Sequence, residues 1–263
     1  MKSESAAPLS PRTPAEEKAF YDDMWSRYGH LEEASPAAFH RRRLVADIAA
    51  RVAAPTARVL DVGCGQGELL RDLAARLPQA RIAGADLSER SLHASRAQNP
   101  TFELFPLDIS APDFAVRESA RLAAFDLVVC SEVLEHIPDD HQAARNLAAL
   151  LAPHGVLIAT VPGGKMSRFE AAIGHQRHYD GASLRAVLGA AGLRVESVLA
   201  WGFPFHSLYR GAVRAASHFW VPGGMSGALS TAYIAFSRVL NPLFYLNLKK
   251  GGEQMIAVAH AAN

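Results

Sequence analysis

Apolar and polar positions are spaced in two different ways along this chain. Residues 13–29 and 36–53 repeat their apolar positions with a helical period, and a capping serine and a proline, Ser35 and Pro36, open the second segment. From residue 57 onward, short runs rich in β-branched residues alternate with helical patterns. This alternation predicts an α/β fold, a doubly wound and mostly parallel sheet with helices on both faces.

The predicted strands are short apolar runs separated by polar, glycine-containing or proline-containing segments. In chain order they read RVLDV, RIAGAD, FELFPLD, FDLVVCS, GVLIATV, LRVESVLAW and EQMIAVAHA. Helices are predicted between them at about 67–77, 89–98, 139–151 and 183–191. FDLVVCS and GVLIATV are almost continuously apolar, which is expected of central strands covered on both faces.

The same patterns divide the chain into four parts. Residues 1–53 are predicted to form a tail and a helical lid, residues 54–202 the core of the fold, and residues 253–263 the final core strand. The roughly fifty residues between, 203–252, have no strand character and are too long for a plain connection. This insert is rich in aromatic side chains, and we interpret it as a helical substrate cap or, alternatively, as a dimer face.

Composition and charge narrow the classes of partner. The chain has 263 residues, 49% of them hydrophobic, and a net charge of only +1, so no broad basic field favours nucleic acid. Its two cysteines, Cys64 and Cys130, have neither metal-ligand spacing nor a disulfide framework, which favours a reducing, cytoplasmic setting. The apolar stretch 227–248 contains Arg238 and Pro242 and is not expected to span a bilayer, although a helix lying against a membrane surface stays open.

A glycine-rich loop follows the first predicted strand, in VLDVGCGQG at residues 59–67. At a strand-to-helix turn, glycines let the backbone approach a ligand, and the N-terminus of the helix offers unpaired N–H groups. The pattern is DxGxGxG, not the GxGxxG of dinucleotide-binding turns. Asp61, Asp86 and Asp108 lie at three successive strand ends, and together they disfavour a pyrophosphate and suit an adenosine that carries positive charge.

Six motifs follow one another in this order over residues 57–200: VLDVGCGQG, GADLS, PLDI, FDLVVCSEVLEHIPD, LLAPHGVLIATVP and GHQRHYD. With these motifs the chain resembles the class I S-adenosylmethionine-dependent methyltransferases. The resemblance implies a seven-stranded sheet whose last strand inserts antiparallel between the fifth and the sixth. It also implies S-adenosylmethionine as the cofactor and S-adenosylhomocysteine as its product.

The resemblance also implies a role for individual residues. The methionine part of the cofactor would lie against Gly63, Cys64, Gly65 and Gly67, with Asp61 holding its amino group. Asp86 would bind the ribose hydroxyls and Leu87 would lie against the adenine, while Asp108 and the N–H of Ile109 would bind adenine nitrogens. Cys130, Ser131 and Glu132 would border the sulfonium and its methyl group. From the N-terminal lid we expect Tyr21 and Trp25 over the sulfonium and Arg43 at the carboxylate.

The acceptor side is defined by the ends of the fourth and fifth strands. The fourth is followed by SEVLEHI and not by the Asn/Asp-Pro-Pro-Tyr sequence with which similar enzymes hold a base amine, so nucleic-acid amines are disfavoured. His136 is the first candidate for a general base, with His175 and His178 as weaker candidates. Glu132, Glu135 and His136 with a later histidine also match an E-x-x-E-H cation site of similar enzymes. The simpler prediction is that the chain binds no metal, with Mg²⁺ or Zn²⁺ as the less favoured alternative.

Together these features predict a methyltransferase that acts on oxygen or nitrogen of a small apolar or aromatic molecule. Arg210 or Arg214 could bind an anionic group of that substrate, and a homodimer is possible. Two other classes stay open. One is a module that binds S-adenosylmethionine without transferring methyl, and the other, disfavoured by the loop spacing, is a nicotinamide-dependent oxidoreductase.

Overall fold

The fold is built on one seven-stranded sheet in the order β3-β2-β1-β4-β5-β7-β6. The computed structural model describes residues 16–24, 35–216 and 235–261. The strands are β1 Arg58–Val62, β2 Arg81–Asp86, β3 Glu103–Pro106, β4 Phe125–Ser131, β5 Leu151–Pro162, β6 Arg194–Trp201 and β7 Gln254–His260. Strand β7 runs antiparallel to both of its neighbours, and the other pairs are parallel. The prediction of the fold is confirmed, including the position and direction of the last strand.

Helices cover both faces of this sheet. They are α1 at residues 16–24, α2 Pro36–Val52, α3 Glu68–Arg76, α4 Glu89–Gln98, α5 Phe114–Arg117, α6 Asp140–Leu150, α7 Arg168–Ala172, α8 Gly181–Ala190, α9 Phe205–Ala216 and α10 at residues 235–240. Short 3₁₀ turns occupy Ser119–Arg121, Leu134–His136 and Asn241–Leu246. Local sequence sets several of the helix starts: the Ser35 hydroxyl accepts the N–H of Ala38, and capping boxes open α7 and α8.

Most differences from the predicted elements are at their ends. Strand β5 begins four residues before the predicted GVLIATV, and α8 begins two residues before the predicted start. The predicted tail, and the predicted helical residues 13–15 and 25–29, lie outside the described residues. The insert contributes α9, α10 and the 3₁₀ turn Asn241–Leu246 as its described elements.

Two hydrophobic cores flank the sheet and fix the ends of its strands. One lies under α6 and α8 and includes Leu147, Leu157 and Leu184. The other joins α2 and α3 to the insert through Tyr209 and Phe244. Among the described helices, none is both long and apolar enough to cross a bilayer.

Candidate active site

A cavity of about 340 Å³ opens at the carboxyl ends of the central strands. This is the edge at which open α/β sheets bind their ligands. The glycine loop forms one wall, the segments after β4 and β5 form the opposite wall, and α2 and α9 cover it. Its charged and imidazole-bearing lining residues are Arg41, Arg42, Asp61, Glu68, Glu132, Glu135, His136, Glu170, His175, His206, Arg210 and Arg214.

Two glycines of the loop form part of the cavity wall, and the third has a different role. Gly63 and Gly65 have φ of +75° and +54°, and a Cβ on Gly63 would lie 2.3 Å from a methyl carbon of Val133. The N–H of Gly63 donates to the carbonyl of Ala85 at 2.7 Å. Gly67 does not line the cavity. A Cβ here would lie 2.5 Å from the side chains of Ser95 in α4 and of Asn99 just after it, so this glycine makes room for the end of α4.

The buried carboxylate of Asp61 indicates which charge of ligand the glycine-loop wall of the cavity suits. The residue is 1% exposed, lines the cavity, and neither carboxylate oxygen has a hydrogen-bond partner among the described residues. Burial, with Asp86 and Glu68 nearby, raises its pKa well above the ordinary value. A buried carboxylate without a donor is unfavourable, and an ammonium group in the cavity would supply both the donor and the compensating charge. The site therefore fits the amino group of S-adenosylmethionine.

The residues predicted for the adenosine half lie at the ends of β2 and β3, outside the cavity lining. Asp86 accepts the N–H of Gly65 at 2.9 Å and that of Ser88 at 2.8 Å, so it braces the glycine loop. Asp108 accepts both the N–H and the hydroxyl of Ser110, at 2.9 and 2.6 Å. Ile109 is buried and Leu87 is half-buried. Their contacts with an adenosine stay predictions.

Helix α1 covers this end of the sheet. Its Asp22 accepts a short hydrogen bond from the Ser88 hydroxyl, and Lys18 pairs with Glu89 at 2.9 Å. The ring of Tyr21 lies edge-on to His136, with 5.6 Å between the ring centroids. Helix α1 thus reaches from the strand end of Asp86 to the acceptor side. Trp25, the other aromatic residue predicted for the lid, lies outside the described residues.

The arginine predicted from α2 is not the one that faces the cavity. Arg43 donates to the Tyr245 hydroxyl at 2.6 Å and lies over its ring, away from the cavity lining. Arg41 and Arg42 line the cavity instead. Positions 41, 42, 45 and 49 share one stripe of a helix, and Val45 and Ala49 are fully buried. That spacing could have identified Arg41 and Arg42 from the sequence.

Of the three residues predicted at the end of β4, two line the cavity. Cys130 is fully buried in the core and does not line the cavity, whereas Ser131 and Glu132 do. Burial raises the pKa of the Cys130 thiol and also that of Cys64, which lines the cavity beside the glycines. Neither thiol is ionised at neutral pH, so neither is suited to act as a nucleophile.

Glu132 has an unusual backbone conformation. Its φ is +58°, in the left-handed region that side chains other than glycine rarely adopt. The carboxylate is held by the Thr160 hydroxyl at 2.9 Å, by the amide of Gln254 at 2.8 Å, and by Arg41 at 3.5 Å. Such strain is typical of functional sites, where the surrounding contacts maintain it.

The three histidines predicted to act on the acceptor lie in a chain. The rings of His136 and His175 are 4.6 Å apart between centroids, and Nδ1 of His175 lies 3.2 Å from Nε2 of His178. Nδ1 of His178 lies 3.2 Å from the carbonyl of Gly164. Burial lowers the pKa of His136 to about 4 and, with the nearby positive groups, that of His175 to about 2. Both imidazoles are therefore neutral near pH 7.

A carboxyl group adjoins these imidazoles. Glu135 is fully buried, neither of its oxygens has a hydrogen-bond partner among the described residues, and burial followed by the Glu132 charge raises its pKa well above normal. One ligand atom each from Glu135, His136 and His175 lies within 4.8 Å of the others. Of the predicted E-x-x-E-H residues, Glu135 and His136 belong to this group and Glu132 does not, with His175 as the nearby later histidine; in donor type and spacing the three groups fit a divalent cation.

Ion pairs between distant segments hold the insert over the cavity. Arg210 of α9 donates to the Gly163 carbonyl at 2.8 Å and to Glu170 at 2.5 Å. Arg214 pairs with Glu253, just before β7. Burial raises the pKa of Glu170, but Arg210 and the Ser167 N–H outweigh it and hold that pKa below normal. The two arginines thus attach α9 to the core, and they are not free to act as an anion site.

Several residues of the cavity were not predicted from the sequence. Among them are Arg41, Arg42, Glu68, Glu170, His206 and Gln254, whereas Tyr209 belongs to the aromatic insert that was predicted to cover the substrate. Glu170 lies in α7, five and eight residues before His175 and His178, and this closeness in sequence to two candidate histidines could have suggested it. His206 lies near the start of the insert and Gln254 just after its end, and no local pattern in the sequence places both at the cavity.

Known proteins match the core of this chain. A family model described as a methyltransferase domain matches residues 37–198. The ubiquinone biosynthesis O-methyltransferase of Xanthomonas campestris pv. campestris is 43% identical over 116 residues, which are 42% of this chain and 45% of that protein. The trans-aconitate 2-methyltransferase of Variovorax paradoxus is 38% identical over 125 residues, 46% of this chain and 45% of that protein. The matches thus span less than half of the length of these curated relatives.

Solved structures share the fold at low sequence identity. Phosphoethanolamine N-methyltransferase 2 of Haemonchus contortus, in complex with S-adenosylhomocysteine, superimposes with a TM-score of 0.61 at 16% identity, over 97% of this chain and 61% of that one. A protein from Galdieria sulphuraria described as a sarcosine dimethylglycine methyltransferase gives a TM-score of 0.58 at 13% identity, over 86% and 87%. With the family model covering more than half of its length, the chain belongs to the class I S-adenosylmethionine-dependent methyltransferases.

Proposed function

We propose that this chain transfers a methyl group from S-adenosylmethionine to an oxygen or nitrogen of a small, largely apolar molecule. The observation that carries the proposal is the single cavity that connects the glycine loop and Asp61 with the imidazoles of His136 and His175. A donor bound at one wall and an acceptor at the other would meet inside it. Its volume of about 340 Å³ is in the range of small-molecule sites.

The cofactor, when bound, supplies a methyl group on a positively charged sulfur. The chain's contribution is to hold the two reactants in line and to exclude water. Asp61 would bind the amino group, and Gly63 and Gly65 would let the backbone lie against the methionine part. Helix α1 and α9 cover the cavity from two sides, with Met24 and Tyr209 as lining residues.

The hydrogen-bond chain of the histidines makes His175 the imidazole with a free ring nitrogen, and a bound substrate would have to raise its pKa from about 2 for it to act as the base for an acceptor hydroxyl. A carbonyl can only accept, so Nδ1 of His178 carries a proton toward Gly164 and Nε2 of neutral His178 is bare. That nitrogen accepts Nδ1–H of His175, which leaves Nε2 of His175 free to take a proton. Glu170 lies 3.8 Å from Nε2 of His178, on the far side of that ring from the Gly164 carbonyl contact, and is itself paired with Arg210. His136, which the sequence made the first candidate for the base, is the other neutral imidazole and lies beside His175.

A divalent cation is the less favoured use of the same groups. Glu135, His136 and His175 would hold it, and it would lower the pKa of an acceptor hydroxyl. Loss of methylation after chelation and recovery with Mg²⁺ or Zn²⁺ would favour this alternative. Unchanged methylation after chelation would leave the histidines as the base.

The test is a screen of hydroxyl-bearing and amine-bearing aromatic and aliphatic molecules with purified protein and S-adenosylmethionine. Mass spectrometry would detect an acceptor heavier by one methylene unit together with S-adenosylhomocysteine. We expect His175→Gln to lower kcat by roughly 10²- to 10⁴-fold for a hydroxyl acceptor while S-adenosylhomocysteine binding is retained. His141→Gln, an exposed histidine on α6, is the matched control.

The same purified protein also distinguishes a methyltransferase from the two alternatives, a non-catalytic module that binds S-adenosylmethionine and a nicotinamide-dependent oxidoreductase. Tight binding of S-adenosylmethionine with no methylated product from any acceptor would support a non-catalytic module and contradict the proposal. A nicotinamide-dependent oxidoreductase would instead bind NADH. The antiparallel β7 and the family match speak against that reading.

A further inference from the structure

The insert carries most of the exposed apolar surface of the described chain. Eight of the eleven large apolar side chains exposed there belong to the insert, among them Leu208, Val239 and Leu246 at 68%, 74% and 63% exposure. Scattered exposed apolar residues are ordinary, but a concentration of them in one segment marks an interaction surface.

These side chains form one continuous face. Phe236, Val239, Leu243 and Leu246 are spaced three, four and three residues apart, so they share one stripe of α10 and the 3₁₀ turn that follows it. The opposite stripe, with Phe244, is buried against the core and against Tyr209 of α9. A helical segment that is apolar on both sides needs a partner for its exposed side.

The face continues onto neighbouring segments. The N–H of Leu248 donates to the Phe203 carbonyl at 2.7 Å, and both side chains are about half exposed. Asn247 accepts the N–H of Phe205 at 2.8 Å, which ties the start of α9, and with it Leu208, to the same place. The outer apolar face is therefore defined by Phe203, Leu208, Phe236, Val239, Leu243, Leu246 and Leu248.

The charges of the insert all have one sign. Residues 203–252 contain five lysines and arginines and no aspartate or glutamate. Arg210 and Arg214 face inward to their ion pairs, whereas Arg238, Lys249 and Lys250 are exposed next to the outer apolar face. The chain as a whole has a net charge of only +1, so the excess is local.

We propose that the outer apolar face, with Arg238, Lys249 and Lys250, docks on the surface of an anionic lipid bilayer. Exposed leucine, valine and phenylalanine side chains enter the boundary between head groups and acyl chains, and lysines beside them contact the lipid phosphates. The single sign of these charges disfavours a second copy of the chain as the partner. A two-fold interface would bring the same cations of both copies together, with no acid from the insert to offset them.

The binding test uses the full chain and sedimentation with lipid vesicles, without methyl donor or acceptor. We expect binding to vesicles of phosphatidylcholine and phosphatidylglycerol in equal parts, weak binding to phosphatidylcholine alone, and weaker binding at high salt. Lys249→Gln with Lys250→Gln should lower the partition coefficient roughly thirty-fold. Arg81→Gln with Arg194→Gln, two exposed arginines at the opposite end of the strands, is the matched control for net charge.

A second pair of variants tests the apolar contribution. Leu243→Glu with Leu246→Glu should lower vesicle binding by more than about tenfold. Val116→Glu changes an apolar side chain that is 80% exposed on α5, outside the insert, and this variant should bind as the unmodified chain does. Thermal unfolding and S-adenosylhomocysteine binding of each variant check that the fold is intact.

Three results would overturn the proposal. They are equal binding to neutral and anionic vesicles, no binding to either, and a concentration-dependent dimer in light scattering that Leu243→Glu with Leu246→Glu dissociates while vesicles are ignored. The last would make the outer apolar face an interface between copies of the chain. None of these results depends on methyl transfer, so the proposed function stands or fails separately.

Discussion

At the scale of single residues, Asp61 is the most direct probe of cofactor binding. Its folded pKa lies above its unfolded value, so the native state keeps this proton longer and the free energy of unfolding falls as pH rises between the two pKa values. We expect Asp61→Asn to raise the thermal stability of the unliganded protein above neutral pH, because the uncompensated buried charge is removed. The same change should weaken S-adenosylmethionine binding by roughly 10- to 100-fold, since a charge-assisted hydrogen bond is lost.

Calorimetry and thermal unfolding measure these two effects on the same samples. Asp113→Asn, whose side chain is 62% exposed on the surface, is the control and should change neither. A variant at Asp61 that loses stability while keeping its affinity would show that the carboxylate is structural and does not bind the ligand.

The buried histidines make a prediction about pH. Burial lowers the pKa of His136 from about 6.5 in the unfolded chain to about 4 in the native chain. Below pH 6.5 the unfolded chain therefore takes up a proton at His136 that the native chain does not, and the free energy of unfolding falls as the pH is lowered from about 6.5 to about 4. Methyl transfer itself should keep a constant kcat/KM from neutral pH down to about pH 5, since both imidazoles are already neutral there. A pH–rate profile that falls with a midpoint near 6.5 would contradict this and indicate an exposed base.

At the scale of elements, the attachment of α9 to the core depends on Arg210. Its side chain is 10% exposed and joins the end of β5, the start of β7 and α7. Removing one partner of a buried ion pair leaves the other charge uncompensated, so Arg210→Met should lower the free energy of unfolding by about 3 kcal/mol. Urea unfolding measures this, with Arg90→Met, an exposed arginine of α4, as control.

A double variant identifies which charge the loss of Arg210 leaves uncompensated. If Glu170 is the charge left behind, the double variant Arg210→Met with Glu170→Gln should recover part of the stability that Arg210→Met loses. Losses that simply add would show that the two residues stabilise the protein independently and that α9 is held by its apolar contacts.

The elements were more predictable than the contacts between them. Strand positions follow from contiguous apolar runs, and the acids at their ends lie within the same motifs, so Asp61 and Asp86 could be found by inspection. Arg43 bonds Tyr245 while Arg41 and Arg42 line the cavity, an orientation that their helical spacing with Val45 and Ala49 indicates; the role of Arg43 at the cofactor carboxylate stays a prediction. The pairing of Glu170 with Arg210 joins residues forty positions apart, and no local pattern encodes it.

At the scale of the whole molecule, the rise in thermal stability on ligand binding should distinguish a methyltransferase from a nicotinamide-dependent oxidoreductase. A ligand that binds only the folded state raises the free energy of unfolding by about 2.7 kcal/mol at a concentration one hundred times its Kd. For a chain of this length each kcal/mol corresponds to roughly 2–4 °C in Tm. Saturating S-adenosylhomocysteine should therefore raise Tm by roughly 5–10 °C, and NADH at the same concentration should leave it unchanged.

The Asp61 variant extends this test of ligand binding. Because Asp61 supplies the uncompensated buried charge, Asp61→Asn should start from a higher Tm and show a smaller rise at the same ligand concentration. A rise with NADH that equals the rise with S-adenosylhomocysteine would contradict the assignment of this wall to a cationic cofactor, since the pyrophosphate of NADH would lie against Asp61 and Glu68.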